Sequence, residues 1–418
     1  MIVKQSIEYK WIIFFTVLIA YTLIVVQRTA PGVITDQLMK EYGISASMLG
    51  LLTGIQFLAY AGLQIPVGML ADKYGPIYLL ITGILLNGLG TVLYSIAPSE
   101  HVILFTRLLV GSGDSMILIN IVLILSKYFT ADKFAGLLGV MGMFGNIGSI
   151  MASVPLTIWI SYIGWRIPFF TLGISLCAVA ILVYIVLMKG SNQSKGLFTT
   201  SNQQPRQQKK PITIIKSICS NRQSWAAFLC HFGLVGTYVG FIGSWAIPYG
   251  MSVYNMTRIE ASQLILLGLI GALIGSPLTG FISDFLKLRK LPYILIHSIT
   301  FLCWGTFIVL DGKPPLPILI ALYIIIGYGN GSSVLTFAIV RQTFPNTEVG
   351  VVTGFANTGG FVSAVLLPLL FGFVLEHNLG YQYSFWIPAM FSVLGLIGSF
   401  IINEKLPSSK PLHSSAPA

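Results

Sequence analysis

The chain has 418 residues, of which 55% are hydrophobic and only 9% are charged. Soluble proteins carry about 25% charged residues, because a surface that faces water needs polar groups. This composition excludes a soluble multi-domain enzyme and predicts that lipid is the main solvent. The net charge of +11 does not indicate a nucleic-acid partner, because the basic residues lie in short connectors between apolar runs rather than in patches.

Twelve apolar runs are long enough to span a bilayer, whose hydrocarbon core takes about 20 helical residues. The first six lie at about 11–34, 46–70, 77–97, 102–126, 134–160 and 166–188. The last six lie at about 224–250, 261–283, 292–310, 315–340, 350–375 and 382–403. We predict an all-α membrane protein of 12 transmembrane helices in two six-helix bundles. The predicted parts are an N-terminal bundle, a cytoplasmic linker, and a C-terminal bundle with a short cytoplasmic tail, at 1–188, 189–223 and 224–418.

Lys and Arg are distributed unequally between the two sets of connectors. The connectors on the side of the chain termini hold 18 of the 24 basic residues. The other six are Arg28, Lys40, Arg107, Arg166, Arg258 and Lys313. Basic residues concentrate in cytoplasmic loops, so this bias predicts that both termini are cytoplasmic. We expect a multi-pass protein of the cell membrane, specifically of a bacterial inner membrane.

The two halves of the sequence repeat one another. Gly68–Asp72 at the end of the second run recurs as Gly280–Asp284, and Gly111–Asp114 in the fourth run recurs as Gly327–Asn330. Because six spans separate the copies, both begin on the same side of the membrane, which makes the repeats parallel and pseudo-symmetric. This arrangement favours a solute site between two bundles, exposed alternately to each side.

Two motifs resemble those of the major facilitator superfamily. The signature G-x-L-A-D-[RK]-x-G-[RK] reads here as Gly68-Met-Leu-Ala-Asp-Lys-Tyr-Gly-Pro76, with Pro76 in place of the last basic residue. The pattern R-x-x-x-G-x-G of the fourth helix reads Arg107-Leu-Leu-Val-Gly-Ser-Gly113. The resemblance spans essentially the whole chain and implies the superfamily fold and transport by alternating access.

The first motif predicts a conformational gate. Gly68 allows close helix approach, and a carboxylate such as Asp72 is stabilised by the backbone N–H groups at a helix N-terminus. The resemblance implies that this terminus belongs to the eleventh helix and that the contact latches the two halves together. The predicted gate residues are Gly68, Asp72, Lys73 and Gly75, with the repeat counterparts Gly280 and Asp284.

Asp114 lies in the middle of the fourth apolar run. An ionisable group at that depth costs about 2.5–3.5 kcal/mol on insertion scales, so its presence requires a reason. Organic-anion/proton symporters of the superfamily often carry an acid seven residues after the arginine of the fourth helix, which implies that Asp114 couples transport to protons. The alternative is a static ion pair with an arginine that locks the first and fourth helices together.

Arg28 and Arg107 are candidates to hold a substrate carboxylate or phosphate, and Arg28 is preferred because the arginine of the fourth helix is more often structural in the superfamily. Further candidates for substrate binding are polar or aromatic residues of the apolar runs: Gln56, Tyr60, Asn146, Trp245, Asn330 and Asn357. His231 and His297 are interpreted as packing residues, and Arg341 as an anchor at a helix end.

Together these features predict a secondary transporter that carries an amino acid, a short peptide or an organic anion by proton symport. We expect a monomer without enzymatic activity, cofactor or metal, because no phosphate-binding loop and no metal-ligand spacing occurs. The fifth run has glycines but lacks the Gly-Pro pattern of antiporters, which mildly favours uptake. An exporter of amphiphilic compounds and a non-transporting nutrient receptor remain alternatives.

Overall fold

The computed structural model describes residues 2–43, 46–193, 211–345, 348–377 and 380–404. Within these ranges the chain is almost entirely helical and contains no β-strand. The spanning helices of the first half are α1 Ile2–Thr29, α2 Ala46–Tyr74, α3 Pro76–Ser95, α4 Glu100–Ser115 with Ile117–Tyr128, α5 Ala131–Met151 with Val154–Ile163, and α6 Arg166–Gln193.

The second half repeats this order. Its spanning helices are α7 Arg222–His231 with Thr237–Ser244, joined by the π-helical turn Phe232–Gly236, α8 Arg258–Leu286, α9 Lys290–Val309, α10 Leu316–Ser332 with Leu335–Thr343, α11 Val349–Glu376 and α12 Trp386–Ile401. Shorter helices outside this set are Ala30–Val33, Thr35–Tyr42, Pro211–Ser220, Ala246–Tyr254 and Tyr381–Ser384.

Eleven candidate spans by length and composition are found in the described part of the chain. The remaining long helix is α2, which has 29 residues and carries Asp72 and Lys73 at its end. With α2 the two halves each contain six helices, and the predicted all-α membrane fold is confirmed.

Prolines and helix interruptions recur at similar places in two pairs of helices. Pro66 lies inside α2 and Pro277 inside α8. A proline within a helix removes one backbone hydrogen bond and bends the helix. The helical pattern of α4 is interrupted at Met116, and that of α10 at Ser333 and Val334. In the pairs α2/α8 and α4/α10 the internal repeat therefore extends from the motifs to the irregular points of the helices.

Glycines allow the halves to pack closely along two helix pairs, α2 with α11 and α5 with α8. A Cβ atom on Gly68 would lie 2.6 Å from the carbonyl oxygen of Gly350. A Cβ atom on Gly280 would collide with the carbonyl oxygen of Ala135. Both contacts lie toward the end of the molecule where α1 begins and α12 ends. We call this end the terminal face and the other end the opposite face.

The boundaries of the predicted linker differ from those of the helices. Helix α6 continues to Gln193, and the helix Pro211–Ser220 lies inside the predicted linker. In that short helix Ile218 is buried and packs against the bundle, whereas Lys216 is exposed. The central part of the predicted linker, 194–210, and the tail, 405–418, lie outside the described residues.

Candidate functional site

A buried charged cluster lies midway along α4. The carboxylate of Asp114 is only 1% exposed, and its Oδ2 accepts hydrogen bonds from Arg28 Nε at 3.1 Å and from Gln56 Nε2 at 2.9 Å. The three residues belong to α4, α1 and α2. A buried carboxylate needs a charged and hydrogen-bonded environment, and this pair of donors supplies one.

Glycines of the α4 motif place Asp114 against its partners. A Cβ atom on Gly111 would collide with the backbone carbonyl oxygen of Gln56, and one on Gly113 would lie 2.8 Å from Asn87 Nδ2 of α3. Only glycine therefore permits α4 to approach both α2 and α3. The same close approach brings the side chain of Gln56 within hydrogen-bonding distance of Asp114.

The ion pair leaves one carboxylate oxygen and part of the arginine available. Asp114 Oδ1 accepts no hydrogen bond from any residue in the described ranges. The side chain of Arg28 is 19% exposed, and its guanidinium carbon lies 5.2 Å from the ring centroid of Tyr60. The cluster therefore keeps one carboxylate oxygen without a partner in the described residues and part of the guanidinium exposed.

Asn357 of α11 connects this cluster to the second half of the molecule. Its Nδ2 donates to the hydroxyl of Tyr60 at 2.8 Å and to Gln64 Oε1 at 3.0 Å. The ring of Phe361, one turn further along α11, lies 4.4 Å from the ring of Tyr60. Tyr60 thus contacts Arg28 on one side and the second bundle on the other.

Four predicted site residues, Arg28, Gln56, Tyr60 and Asn357, lie in this cluster with Asp114. Arg107 does not join them by a hydrogen bond to Asp114. Its side chain is buried, and its guanidinium carbon lies 5.3 Å from the ring centroid of Tyr94. This placement supports the preference for Arg28 over Arg107 as the arginine that meets the solute.

The remaining three candidates lie elsewhere in the bundles. Asn146 is half-buried, and its Nδ2 donates to the carbonyl oxygen of Gly142 in its own helix at 3.0 Å. Trp245 follows α7 and donates from Nε1 to Pro368 O of α11 at 3.1 Å. Asn330 is half-buried beside the interruption of α10. None of these side chains contacts Asp114 in the described structure.

Sequence reasoning missed Gln64 and the environment of His231. Gln64 follows Tyr60 by four residues and Gln56 by eight, so all three lie on one face of α2, and this spacing could have indicated it. His231 Nδ1 lies 3.3 Å from Thr336 Oγ1, and this hydroxyl also meets the hydroxyl of Tyr293. Three different helices supply these residues, and a single sequence does not show such a contact.

Two carboxylates at equivalent places in the repeat join the halves at the terminal face. Asp72 accepts from the backbone N–H groups of Gly350 and Val351, both at 3.1 Å, at the N-terminus of α11. Asp284 accepts from Gly136 N at 2.6 Å, in the second turn of α5. Each carboxylate also complements the positive end of the helix dipole that it meets. The Asp72 contact joins α2 to the start of α11, and the Asp284 contact joins α8 to α5; that these contacts act as a latch stays a prediction.

The neighbours of these carboxylates differ between the halves. Asp284 pairs with Arg289 at 2.5 Å, whereas Lys73, beside Asp72, is exposed and lies over the ring of Tyr74 at 4.7 Å. Gly75 connects α2 to α3 with a φ of +90°, a conformation that favours glycine.

Arg341 adds a third contact at the terminal face. From the end of α10 it donates to the carbonyl oxygens of Ser126 at 2.7 Å and Phe129 at 2.5 Å, at the C-terminal end of α4. A cation at the negative end of a helix dipole is stabilising. The interpretation of Arg341 as an anchor is consistent with this contact, which joins the two halves.

We predict that Asp72→Asn opens the terminal face. The amide has no charge and only one acceptor oxygen for the two N–H groups of α11, so the closed state loses a charge-assisted hydrogen bond. A cysteine in place of Ser276 reports the opening, because Ser276 is buried on the face of α8 that packs against α5. The exposed Cys219 is replaced by serine so that it does not react. We expect an impermeant thiol reagent to label it about tenfold faster, the equivalent of about 1.4 kcal/mol.

Asp132→Asn is the matched control, because Asp132 is an exposed carboxylate at the same face. Equal labelling rates in the two variants would show that Asp72 does not hold the terminal face closed.

A protein of two similar helical bundles, with a charged site between them and paired contacts at one end, has the architecture of a secondary transporter. The family model described as Major Facilitator Superfamily matches the chain at residues 14–334 and, in a second match, at 260–417. The chain therefore belongs to the major facilitator superfamily. It is a membrane transporter and not an enzyme.

Several known proteins are similar to the chain over nearly its whole length. A probable sulfoacetate transporter of Cupriavidus necator is 23% identical over 98% of this chain and 97% of its own. The benzoate transport protein of Acinetobacter baylyi is 24% identical over 93% of this chain and 89% of its own.

Solved structures share the fold at lower identity. The fucose:proton symporter FucP of E. coli has a TM-score of 0.69 at 16% identity, covering 94% of this chain and 98% of its own. The proton:xylose symporter XylE has a TM-score of 0.70 at 14% identity, covering 94% of this chain and 95% of its own.

Proposed function

We propose that this transporter takes up a small organic anion, a carboxylate or sulfonate, together with a proton. The observation that carries the proposal is the Arg28–Asp114 pair, in which a partly accessible arginine is neutralised by a buried acid. Two relatives are named for transport of sulfoacetate and benzoate, which are anions of this class, and the solved neighbours are named as proton symporters. An amino acid or short peptide, which the sequence left open, has less support.

The coupling follows from the cost of an unpaired buried charge. Breaking a buried ion pair by removing one partner costs about 3–5 kcal/mol, so Arg28 requires an anion beside it at all times. In the empty transporter that anion is Asp114. When a proton adds to the carboxylate, Arg28 is left to bind the carboxylate or sulfonate of the solute, which fits the planar guanidinium. One proton therefore enters with each anion.

Release reverses the exchange. After the bundles have reoriented, the proton leaves Asp114 to water on the other side, and the carboxylate competes again for Arg28. The solute then departs, and the neutral Arg28–Asp114 pair crosses back without a net charge on the site. The alternative is that the ion pair only holds α1 and α4 together. That alternative gives no role to the exposed part of the Arg28 side chain.

The direction of access follows from the closed terminal face. Among hydrogen bonds whose partners both lie in the described ranges, those between the halves involve Asn357 or residues nearer the terminal face. The side chain of Arg28 is 19% exposed, whereas Asn357, which lies on the side of the terminal face, is only 2% exposed. This difference supports access of water and solute to the site from the opposite face. With the orientation predicted from the basic residues, the terminal face is cytoplasmic and this structure faces outward.

The purified protein in liposomes tests the proposal with labelled benzoate, sulfoacetate, glucarate, alanine, a dipeptide and xylose. With an outside pH one unit below the inside pH, we expect about tenfold accumulation of a monovalent anion, because one unit of pH is worth about 1.36 kcal/mol. The initial rate should exceed that of protein-free liposomes, which protonated benzoate enters by diffusion. Accumulation of only alanine, the dipeptide or xylose would contradict the proposed substrate class. Anion exchange that is indifferent to the proton gradient would contradict symport.

A further inference from the structure

Two phenylalanines, one in each half, form a partly accessible aromatic pair beside the charged cluster. The rings of Phe57 of α2 and Phe361 of α11 are stacked, with their centroids 6.0 Å apart. Phe361 also lies against Tyr60, with the two ring centroids 4.4 Å apart. Both phenylalanines are half-buried, whereas Tyr60 is only 2% exposed. The pair therefore presents ring surface next to a ring that is fully enclosed.

The position of Phe57 on α2 indicates where its exposed surface lies. Phe57 precedes Gln64 by seven residues and Gly68 by eleven, and these spacings place all three on one side of the helix. Gln64 and Gly68 are buried and contact α11. Phe57 lies on this side but nearer the opposite face, so its exposed part borders the gap that opens between α2 and α11.

Phe361 occupies the corresponding place on α11. It follows Asn357 by one turn and Gly350 by about three turns, and both of those residues contact α2. Asn357 is only 2% exposed, whereas Val365, one turn beyond Phe361, is 56% exposed. The burial of α11 therefore decreases at the level of Phe361, as the burial of α2 does at Phe57.

Arg28 lies close to this aromatic pair. Its guanidinium carbon is 5.2 Å from the ring centroid of Tyr60, against which Phe361 also packs. The separation of this carbon from the ring centroid of Phe361 therefore cannot exceed the sum of the two distances. An anion held by the exposed part of Arg28 has the aromatic pair as a neighbour.

The polar side chains around Arg28 are enclosed. Gln56, Gln64 and Asn357 are at most 2% exposed, and each forms a hydrogen bond within the protein. A polyhydroxylated acid needs a partner for every hydroxyl that it buries, because an unpaired buried polar group is costly. The accessible surface on the α2 and α11 side is instead aromatic, and it makes favourable offset or edge contacts with another ring.

We propose that Phe57 and Phe361 select a solute whose anionic group is attached to an aromatic ring. Arg28 binds the carboxylate or sulfonate, and the ring of the solute packs against the two phenylalanines. The solute then contacts both halves at once, since each half supplies one phenylalanine. The inference rests on the proposed function and narrows its substrate class from organic anions to aromatic ones.

Calorimetric titration at low pH in lipid nanodiscs tests this selection with benzoate, cyclohexanecarboxylate, acetate and glucarate. The Kd is measured directly for benzoate and by competition for the other anions. Cyclohexanecarboxylate has as many carbon atoms as benzoate but no aromatic ring, and we expect it to bind at least about fivefold more weakly. Glucarate should bind at least about tenfold more weakly than benzoate, because its hydroxyls lack partners.

Leucine variants locate the selection in the aromatic pair. Phe361→Leu keeps an apolar side chain but removes the ring, so the Kd of benzoate should rise about fivefold while that of acetate changes less than about twofold. Phe57→Leu should change the two Kd values in the same way. Phe361→Tyr retains the ring and should bind benzoate within about twofold of the wild type. Phe400→Leu is the matched control, because Phe400 is 59% exposed on α12, and its Kd values should equal those of the wild type.

A wild type that does not prefer benzoate to cyclohexanecarboxylate and glucarate overturns the inference, and this comparison needs no variant to fold. An unchanged ratio of the benzoate Kd to the acetate Kd in both leucine variants also overturns it. In these cases the protein still binds organic anions, so the proposed function stands. A wild type that binds no organic anion overturns the proposed function and the inference together.

Discussion

Asp114→Asn abolishes proton-driven accumulation of the substrate and spares the exchange of labelled for unlabelled substrate. Asparagine has the shape of aspartate and can still meet Gln56, but it cannot take up or release a proton. Arg28 then lacks its counter-ion in the empty transporter. The unpaired charge costs about 3–5 kcal/mol, which slows the return of the empty protein by at least about 100-fold. The loaded transporter, in which the anion neutralises Arg28, still crosses in both directions.

Two assays on the same liposomes check this result. Accumulation under an inward proton gradient should fall to the level of equilibration, whereas counterflow should stay within about tenfold of the wild type. Asp132→Asn, which removes an exposed carboxylate, should leave both assays unchanged. Substrate-induced acidification of the lumen that persists in Asp114→Asn would exclude Asp114 as the proton carrier and would favour the static ion pair.

Arg28→Gln should produce the largest loss of substrate binding. Glutamine keeps hydrogen-bonding groups but removes the positive charge, so the anion enters a low-dielectric site without a counter-ion. From the cost of a broken buried ion pair, about 3–5 kcal/mol, we expect the Kd to rise at least about 100-fold. Calorimetric titration of the protein in lipid nanodiscs with the transported anion measures this change.

Arg107→Gln provides the comparison within the same charged region. Arg107 lies against Tyr94 and makes no hydrogen bond to Asp114 in the described structure. We therefore expect its Kd to rise less than about tenfold. A loss in Arg107→Gln that equals the loss in Arg28→Gln would mean that the wrong arginine has been assigned to the anion.

The features that sequence alone predicted are those determined by short local patterns. Glycines and acids at fixed spacing mark places where helices approach and where a helix N-terminus needs a carboxylate. The contact of Asp72 with α11 could be expected for this reason, and the repeat at Asp284 supplied its counterpart. The insertion cost of a charge likewise made Asp114 a candidate before its partners were known.

The features that sequence could not predict depend on the rotation of neighbouring helices. Asn146 and Trp245 are polar or aromatic like Gln56, but Asn146 donates to its own helix and Trp245 donates to Pro368 of α11. A helix that is apolar on most of its surface shows little periodicity, so its sequence does not reveal which side faces the site. The contacts of Gln64 with Asn357 and of Thr336 with His231 became visible only when α2, α7, α10 and α11 were placed together.

Paired distance measurements test directly whether the two bundles move relative to each other. One pair of exposed sites for spin labels lies on the terminal face, at Lys133 and Lys287, and the other lies on the opposite face, at Ser161 and Ser252. Each pair has one site in each half. Cys219, which is exposed, is replaced by serine. Electron–electron double resonance in nanodiscs at low pH, with and without the transported anion, measures both distances. We expect the anion to lengthen the distance between the labels on the terminal face and to shorten the distance between the labels on the opposite face. Both distances changing in the same direction, or neither changing while transport proceeds, would contradict alternating access about the Arg28–Asp114 site.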